Sequence, residues 1–275
     1  MPCFYPLPAY RLVGGSLSLK EPLEESKIAE RLRLPCGGCL GCRMSRAREW
    51  ALRCELESKS HSQTCWATLT YDDAHLPPTL RKDHLSGFVK RLRSRIEPHK
   101  VRFFGSGEYG ETFGRPHYHI ILFGLQDSPH IQGAWPFGFS RVDPLTSAAI
   151  AYVAGYCSKK IGFKLQREER VDPATGEIYT WTPPFVLMSR NPGIGADYGV
   201  YRNSWRKSAV YNGSEIGVPR YLHNFWKREA SEEEIEALRQ ERREIPRDLT
   251  KERLKALEII AVKRQSLKAQ ERKYD

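Results

Sequence analysis

Arg115-Pro116-His117-Tyr118-His119-Ile120-Ile121-Leu122-Phe123-Gly124 is the stretch from which the fold is read. Two histidines flank one bulky residue at the head of a β-branched and aromatic run that a glycine ends. In a strand of period two, both imidazoles then leave by the same face. A histidine pair on one face of a rigid strand holds a divalent cation and leaves coordination positions open for a substrate oxygen. The competing reading is of two neutral histidines that only pack. Working backward, residues 101–109 read as a second strand, and the short connection through Gly110 makes the two an antiparallel pair. Glu108 stands at the end of that strand. It joins the histidines only if opposed residue numbers sum to an odd value, a parity that the sequence leaves open. Glu111, in the connecting loop, is the alternative third ligand.

Further out, residues 64–71 alternate, with Trp66, Thr68 and Thr70 on one face and Cys65, Ala67, Leu69 and Tyr71 on the other, which predicts a strand. Residues 81–96 place Leu85, Phe88, Val89, Leu92 and Ile96 in a helical stripe that Pro98 ends. A short strand is predicted over 137–142. A helix is predicted over 146–161, and it puts Tyr152, Tyr156 and Lys159 on one face. The usual alternative for such tyrosines is an aromatic stripe in the core. The alanines of this helix, and Gly155 despite a cost of about 1 kcal/mol relative to Ala, let a backbone approach closely, either the sheet or a DNA strand. Strand, helix, three strands and helix indicate an α+β domain, a mostly antiparallel central sheet with flanking helices. Residues 163–184 read as an inserted hairpin around Asp172-Pro173-Ala174-Thr175-Gly176, and Pro192-Gly193-Ile194-Gly195 as a turn before a short helix.

The 275 residues carry a formal charge of +11, which calls for a polyanionic partner. From Lys227 onward the charges nearly balance, leaving +9 on residues 1–226. Three divisions follow: a Cys-containing segment with a basic helix (1–60), a catalytic body (61–226) and a charged helical tail (227–275). In the tail, Ser231 and Glu234 form a capping-box pattern and Pro246 separates two helices. Near the amino terminus, Cys36-x2-Cys39-x2-Cys42 places three thiolates around one Zn²⁺, with Cys3 the candidate fourth ligand. The alternative is a set of reduced thiols. Seven cysteines without a secretory leader suit a reducing compartment, and no apolar run is long enough for a membrane span, so a soluble protein is expected. The absence of Gly-x4-Gly-Lys-Ser/Thr argues against a built-in nucleotide-driven helicase.

His117-Tyr118-His119, followed by Tyr152-x3-Tyr156-x2-Lys159, resembles motifs II and III of the HUH rolling-circle replication initiators, and Thr68-Leu69-Thr70-Tyr71-Asp72 resembles their motif I. With Cys36-Gly37-Gly38-Cys39-Leu40-Gly41-Cys42, the likeness is to initiators of gokushovirus-type (Microviridae) single-stranded DNA phages, over roughly residues 1–226. The resemblance implies an RRM-like or ferredoxin-like domain with the histidine strand central, and favours Glu108 as the acidic ligand. It implies Mg²⁺ or Mn²⁺ on His117, His119 and Glu108, and attack on a DNA phosphate by a tyrosine. The product is a 5′-phosphotyrosyl enzyme and a free 3′-hydroxyl primer. Tyr156 is expected to attack first, with Lys159 assisting and Tyr152 acting second. Origin and single-stranded DNA, and a host helicase and polymerase, are the implied partners in the host bacterial cytoplasm. Two rivals make different predictions. A zinc-containing nucleic-acid binder would not cut, and a metal hydrolase with an activated water would cut without a protein–DNA adduct.

Overall fold

The computed structural model describes residues 2–110, 112–126, 129–159, 169–172, 175–200, 205–244 and 250–271. The chain divides into two compact units, Met1–Arg46 with Ile245–Asp275, and Ala47–Glu244.

In the first unit, Leu7–Leu12 (β1), Leu17–Ser18 (β2) and Ile28–Leu34 (β3) form a small antiparallel sheet in the order β2-β1-β3. None of these strands is anticipated by the Pro- and Gly-punctuated sequence there. Helix α1 (Leu40–Lys59) begins in this unit.

The second unit is built on a five-stranded sheet. Its strands are β4 (Thr64–Tyr71), β5 (Arg102–Tyr109), β6 (Pro116–Phe123), β7 (Gly138–Pro144) and β10 (Phe185–Met188). The order is β10-β5-β6-β4-β7 with every neighbouring pair antiparallel, so the histidine strand β6 is the middle one. Both faces of β6 are covered, which is why its sequence is a near-continuous apolar run rather than an alternating one. Tyr118, Ile120 and Leu122 point to one side, where α2 (Lys82–Arg95) and α3 (Pro129–Ala134) pack Leu85, Phe88, Leu92 and Ile131 against them. His117, His119, Ile121 and Phe123 point to the other side, toward the second half of α1 and α4 (Ser147–Lys159). Ile121, Phe123, Phe104, Leu52, Ile150 and Val153 form the core there, each such side chain contributing about 1.5–3 kcal/mol through burial. The expected α+β architecture is therefore present, with helices on both faces.

The inserted hairpin is formed by β8 (Glu169–Val171) and β9 (Ile178–Thr180), closed by the Thr175 N–H donating to Asp172 Oδ1 at 3.2 Å; residues 163–168 and 173–174 of that prediction lie outside the described residues. A second hairpin, β11 (Ser208–Tyr211) and β12 (Ser214–Gly217), turns on Asn212-Gly213, both at positive φ. Helices α5 (Arg220–Lys227) and α6 (Glu232–Glu244) complete this unit. The capping box forms in both directions, since the Glu234 N–H donates to Ser231 Oγ and the Ser231 N–H to Glu234 Oε2. The carboxy-terminal helix α7 (Lys251–Glu271) belongs to the first unit, where Ala261 and Leu257 pack with Phe4 and Leu40. The dividing Pro246 lies outside the described residues. Among the described residues, no helix is long and apolar enough to cross a membrane.

Candidate metal and tyrosine site

Register decides what stands beside the two histidines. Glu108 on β5 is directly opposite His117, and Ser106 is opposite His119; on the other flank Thr70 faces His117 and Thr68 faces His119. The parity that the sequence left open is odd, and Glu108 shares the histidines' face. Glu111, the alternative, lies outside the described residues. Glu108 Oε1 is 3.1 Å from His117 Nε2 and 3.0 Å from His119 Nε2. One ligand atom from each residue lies within 4.8 Å of the other two.

The far side of each imidazole is already engaged. His117 Nδ1–H donates to the Arg115 carbonyl at 3.2 Å, and Thr68 Oγ1 lies 3.0 Å from His119 Nδ1. A metal-binding histidine needs its proton at Nδ1 and the Nε2 lone pair free; here His117 Nε2 hydrogen-bonds to Glu108 Oε1, the contact a cation would replace. His119 Nε2 is buried and makes no aligned hydrogen bond among the described residues. Its 3.0 Å approach to the carboxylate is proximity without alignment. A buried nitrogen so placed costs free energy unless something accepts its lone pair. Two imidazole nitrogens and one carboxylate oxygen, converging on one point, therefore fit a divalent cation. The mixed N and O donors suit Mn²⁺ or Mg²⁺.

Helix α4 brings both predicted tyrosines onto this cluster. The Tyr156 ring stacks on His119 with centroids 5.5 Å apart and planes 8° apart. Tyr152 meets the same imidazole edge-on at 5.2 Å, and the two phenol rings are 5.0 Å from each other. Trp66 backs both His119 and Tyr152. Tyr156 is only 6% exposed, whereas Tyr152 is half-buried. Burial, then a hydrogen bond from its hydroxyl to Glu108, then the neighbouring Tyr152, push the Tyr156 phenol well above its ordinary range. Its hydroxyl is turned to the same carboxylate that the two histidines approach. For this pair, aromatic packing and proximity to the Glu108, His117 and His119 cluster are thus the same fact.

Residues 64–161, from β4 to just past α4, match the family described as replication-associated protein ORF2/G2P. The chain is 31% identical over 228 residues to replication-associated protein ORF4 of Chlamydia phage 1, covering 73% of this chain and 55% of that protein. It is 30% identical over 217 residues to replication-associated protein ORF2 of Spiroplasma virus 4, covering 68% and 64% respectively. The chain is similar to the phage replication-associated proteins. A third relative, replication-associated protein VP4 of Bdellovibrio phage phiMH2K, is 24% identical over 267 residues, 86% of this chain and 80% of that one. The first two are matched over less than two thirds of their own length. Among solved structures, the nuclease domain of minute virus of mice non-structural protein-1 covers 67% of this chain at 12% identity; its TM-score of 0.20 is too low to carry an argument.

The family-matched segment contains every residue of the cluster. Lys159 closes α4, but its side chain lies outside the described residues. The close backbone approach expected at Gly155 is not made by the sheet, because a Cβ there meets nothing within 4 Å among the described residues. Thr68 as the partner of His119, and the carbonyl of Arg115 as the partner of His117, are not named from sequence. Once the register is known, both follow from it. The edge strand β7 adds Phe139 opposite Thr70 and Arg141 opposite Thr68, so both share the face of the cluster. Phe139 is 69% exposed, an unusual state for a phenyl group on a sheet.

Proposed function

We propose that this chain is a replication initiator that nicks DNA at an origin by tyrosine attack and later rejoins the strand. The observation that carries the reading is the meeting, on one sheet face, of Glu108, His117 and His119 with the two tyrosines of α4. Similarity to phage replication-associated proteins supports it.

Glu108, His117 and His119 would hold Mg²⁺ or Mn²⁺, which supplies Lewis-acid stabilisation of charge on a non-bridging phosphate oxygen. Phe139 and Arg141 offer an arriving single strand a stacking surface and a phosphate contact along the same face. Tyr156 Oη attacks phosphorus and loses its proton to solvent. The bond from phosphorus to the 3′ oxygen breaks, and that oxygen takes up a proton to become the primer hydroxyl. The 5′ end stays on the tyrosine. With α4 packed on the sheet and the Tyr156 ring stacked on His119, the phenol is held against the cluster before the substrate arrives, so little orientational entropy is lost at the moment of attack. Lys159, three residues on, is assigned to the charge that develops on the phenolate. The half-buried Tyr152 takes the second transesterification, at the regenerated origin; the 3′-hydroxyl this releases attacks the phosphorus held by Tyr156, joining the strand and returning the Tyr156 phenol. A host helicase and polymerase are the partners this role requires, in the cytoplasm of the bacterial host.

Incubating the full chain with single-stranded circular DNA and Mn²⁺ or Mg²⁺ should yield nicked DNA bound to protein through denaturation. His117→Ala and His119→Ala should abolish nicking yet retain most DNA affinity, since basic side chains supply that term. Nicking at the wild-type rate by either variant would exclude the metal assignment.

A further inference from the structure

The second cluster of metal-ligating side chains lies in the other unit and takes no part in the chemistry above. We propose that Cys3, Cys36, Cys39 and Cys42 form a closed tetrathiolate site for one structural zinc ion. One sulfur from each lies within 4.8 Å of the other three, although Cys3 and Cys36 are 33 positions apart in sequence. The distance between Cys3 Sγ and Cys39 Sγ is 3.8 Å. A disulfide requires about 2.05 Å. A tetrahedron with Zn–S bonds of about 2.3 Å has edges of about 3.8 Å, so this spacing is that of two ligands on one zinc.

The backbone is arranged to receive negative sulfur. Four main-chain N–H groups donate to three of the sulfurs. Phe4 and Cys42 donate to Cys39 Sγ at 3.4 and 3.5 Å, Cys36 to Cys3 Sγ at 3.2 Å, and Cys39 to Cys36 Sγ at 3.3 Å. N–H donors of this kind stabilise thiolate over thiol. Gly37, at φ +76°, makes the tight turn that lets the Cys39 N–H reach back to Cys36. Gly41 has a different task. A Cβ there would sit 2.1 Å from the Pro2 carbonyl oxygen, so only glycine lets the segment bearing Cys3 lie against the first turn of α1. The two remaining described cysteines, Cys54 and Cys65, are buried in two different hydrophobic clusters of the other unit.

Four sulfur ligands select zinc over Mg²⁺ or Mn²⁺, which prefer oxygen and nitrogen. They leave no position for water or substrate, so the ion is structural rather than catalytic. Binding joins the ion to four sulfurs, and each thiol that was protonated releases its proton to solvent, which makes affinity rise with pH. The inference does not depend on the nuclease reading, and each can fail without the other.

Metal analysis of the full chain, purified anaerobically, should find one zinc per chain. His117→Ala should keep it, whereas Cys36→Ser and Cys39→Ser should lose nearly all of it. If the serine variants do not fold, the wild-type chain still decides. Four cysteines should resist a thiol reagent until a chelator is added, with one zinc released for every four thiols that become reactive. Zinc-free protein whose amino-terminal thiols react at once would overturn the assignment. So would zinc lost by His117→Ala but kept by Cys39→Ser, or iron with the visible absorbance of a sulfur cluster in place of zinc.

Discussion

Thr68→Val replaces a hydroxyl by a methyl group of nearly the same size, and its effect on metal binding can be worked from one contact. In the folded chain Thr68 Oγ1 lies 3.0 Å from His119 Nδ1, on a ring only 5% exposed. Without the hydroxyl, a proton on Nδ1 is buried against a methyl group and unpaired, at a cost of about 1–3 kcal/mol. The ring then favours the other tautomer, with its proton at Nε2 beside Glu108, and that proton must be displaced before a cation is bound. Loss of such an outer partner typically weakens metal binding about 10- to 100-fold, or about 1.4–2.8 kcal/mol, which agrees with the first estimate. The assay is cleavage of single-stranded DNA against Mn²⁺ concentration. The half-saturating Mn²⁺ concentration should rise by that factor, the rate at saturating Mn²⁺ should change little, and DNA affinity without metal should be unaltered. An unchanged Mn²⁺ dependence would refute the claim that Thr68 sets the His119 tautomer.

Phe139→Ala should weaken single-stranded DNA binding by about 1–3 kcal/mol, the usual value of one stacked base, or about 5- to 150-fold in Kd by fluorescence anisotropy; equal affinity would remove Phe139 from the DNA path. Glu57 is 2% exposed and accepts bonds from Arg102 and, at 2.6 Å, from the Gly195 N–H. Glu57→Ala strands both donors and should cost about 3–5 kcal/mol, a fall in Tm of about 6–20 °C for a unit of this size; a loss of under about 1 kcal/mol would show the pair to be solvated. Burial raises the phenols of Tyr71 and Tyr118 above their ordinary range, and for Tyr71 the nearby Tyr118 adds to it. The folded chain therefore keeps protons that the unfolded chain releases. The stability they contribute is whole below about pH 10 and falls as pH rises beyond it, so a Tm that declines between neutrality and pH 9 must have another source.

The elements around the site were legible because their sequences obey one period each. Residues 64–71 alternate and form β4 with those bounds, and the Leu85, Phe88, Val89 and Leu92 stripe is the buried face of α2. Antiparallel pairing of β5 with β6 followed from the shortness of their connection. Register did not, since a slip of one residue changes no local propensity yet moves Glu108 to the opposite face. Thr68 stayed hidden for the same reason, as its role exists only across the strand boundary. The strands β1 to β3 were missed because their exposure alternates around charged residues such as Glu30, Arg31 and Arg33, which mask the apolar period. The β11–β12 hairpin is a different kind of miss. Asn212-Gly213 between Val210-Tyr211 and Ile216 is the strongest short hairpin signal there is, and it lay unused in the sequence.

The central claim is that the tyrosines of α4 attack DNA phosphorus, and identifying the residue that carries DNA tests it most directly. After reaction with a single-stranded origin fragment and Mn²⁺, the adduct is digested and the modified peptide sequenced by mass spectrometry. The nucleotide should be found on Tyr156 in the first turnover. Tyr156→Phe should diminish the adduct more than Tyr152→Phe, and the double variant should form none while still binding DNA. Nucleotide on both tyrosines equally would revise only their order. Undiminished cleavage by the double variant, with no peptide carrying DNA, would contradict the claim and make the site a metal hydrolase acting through water.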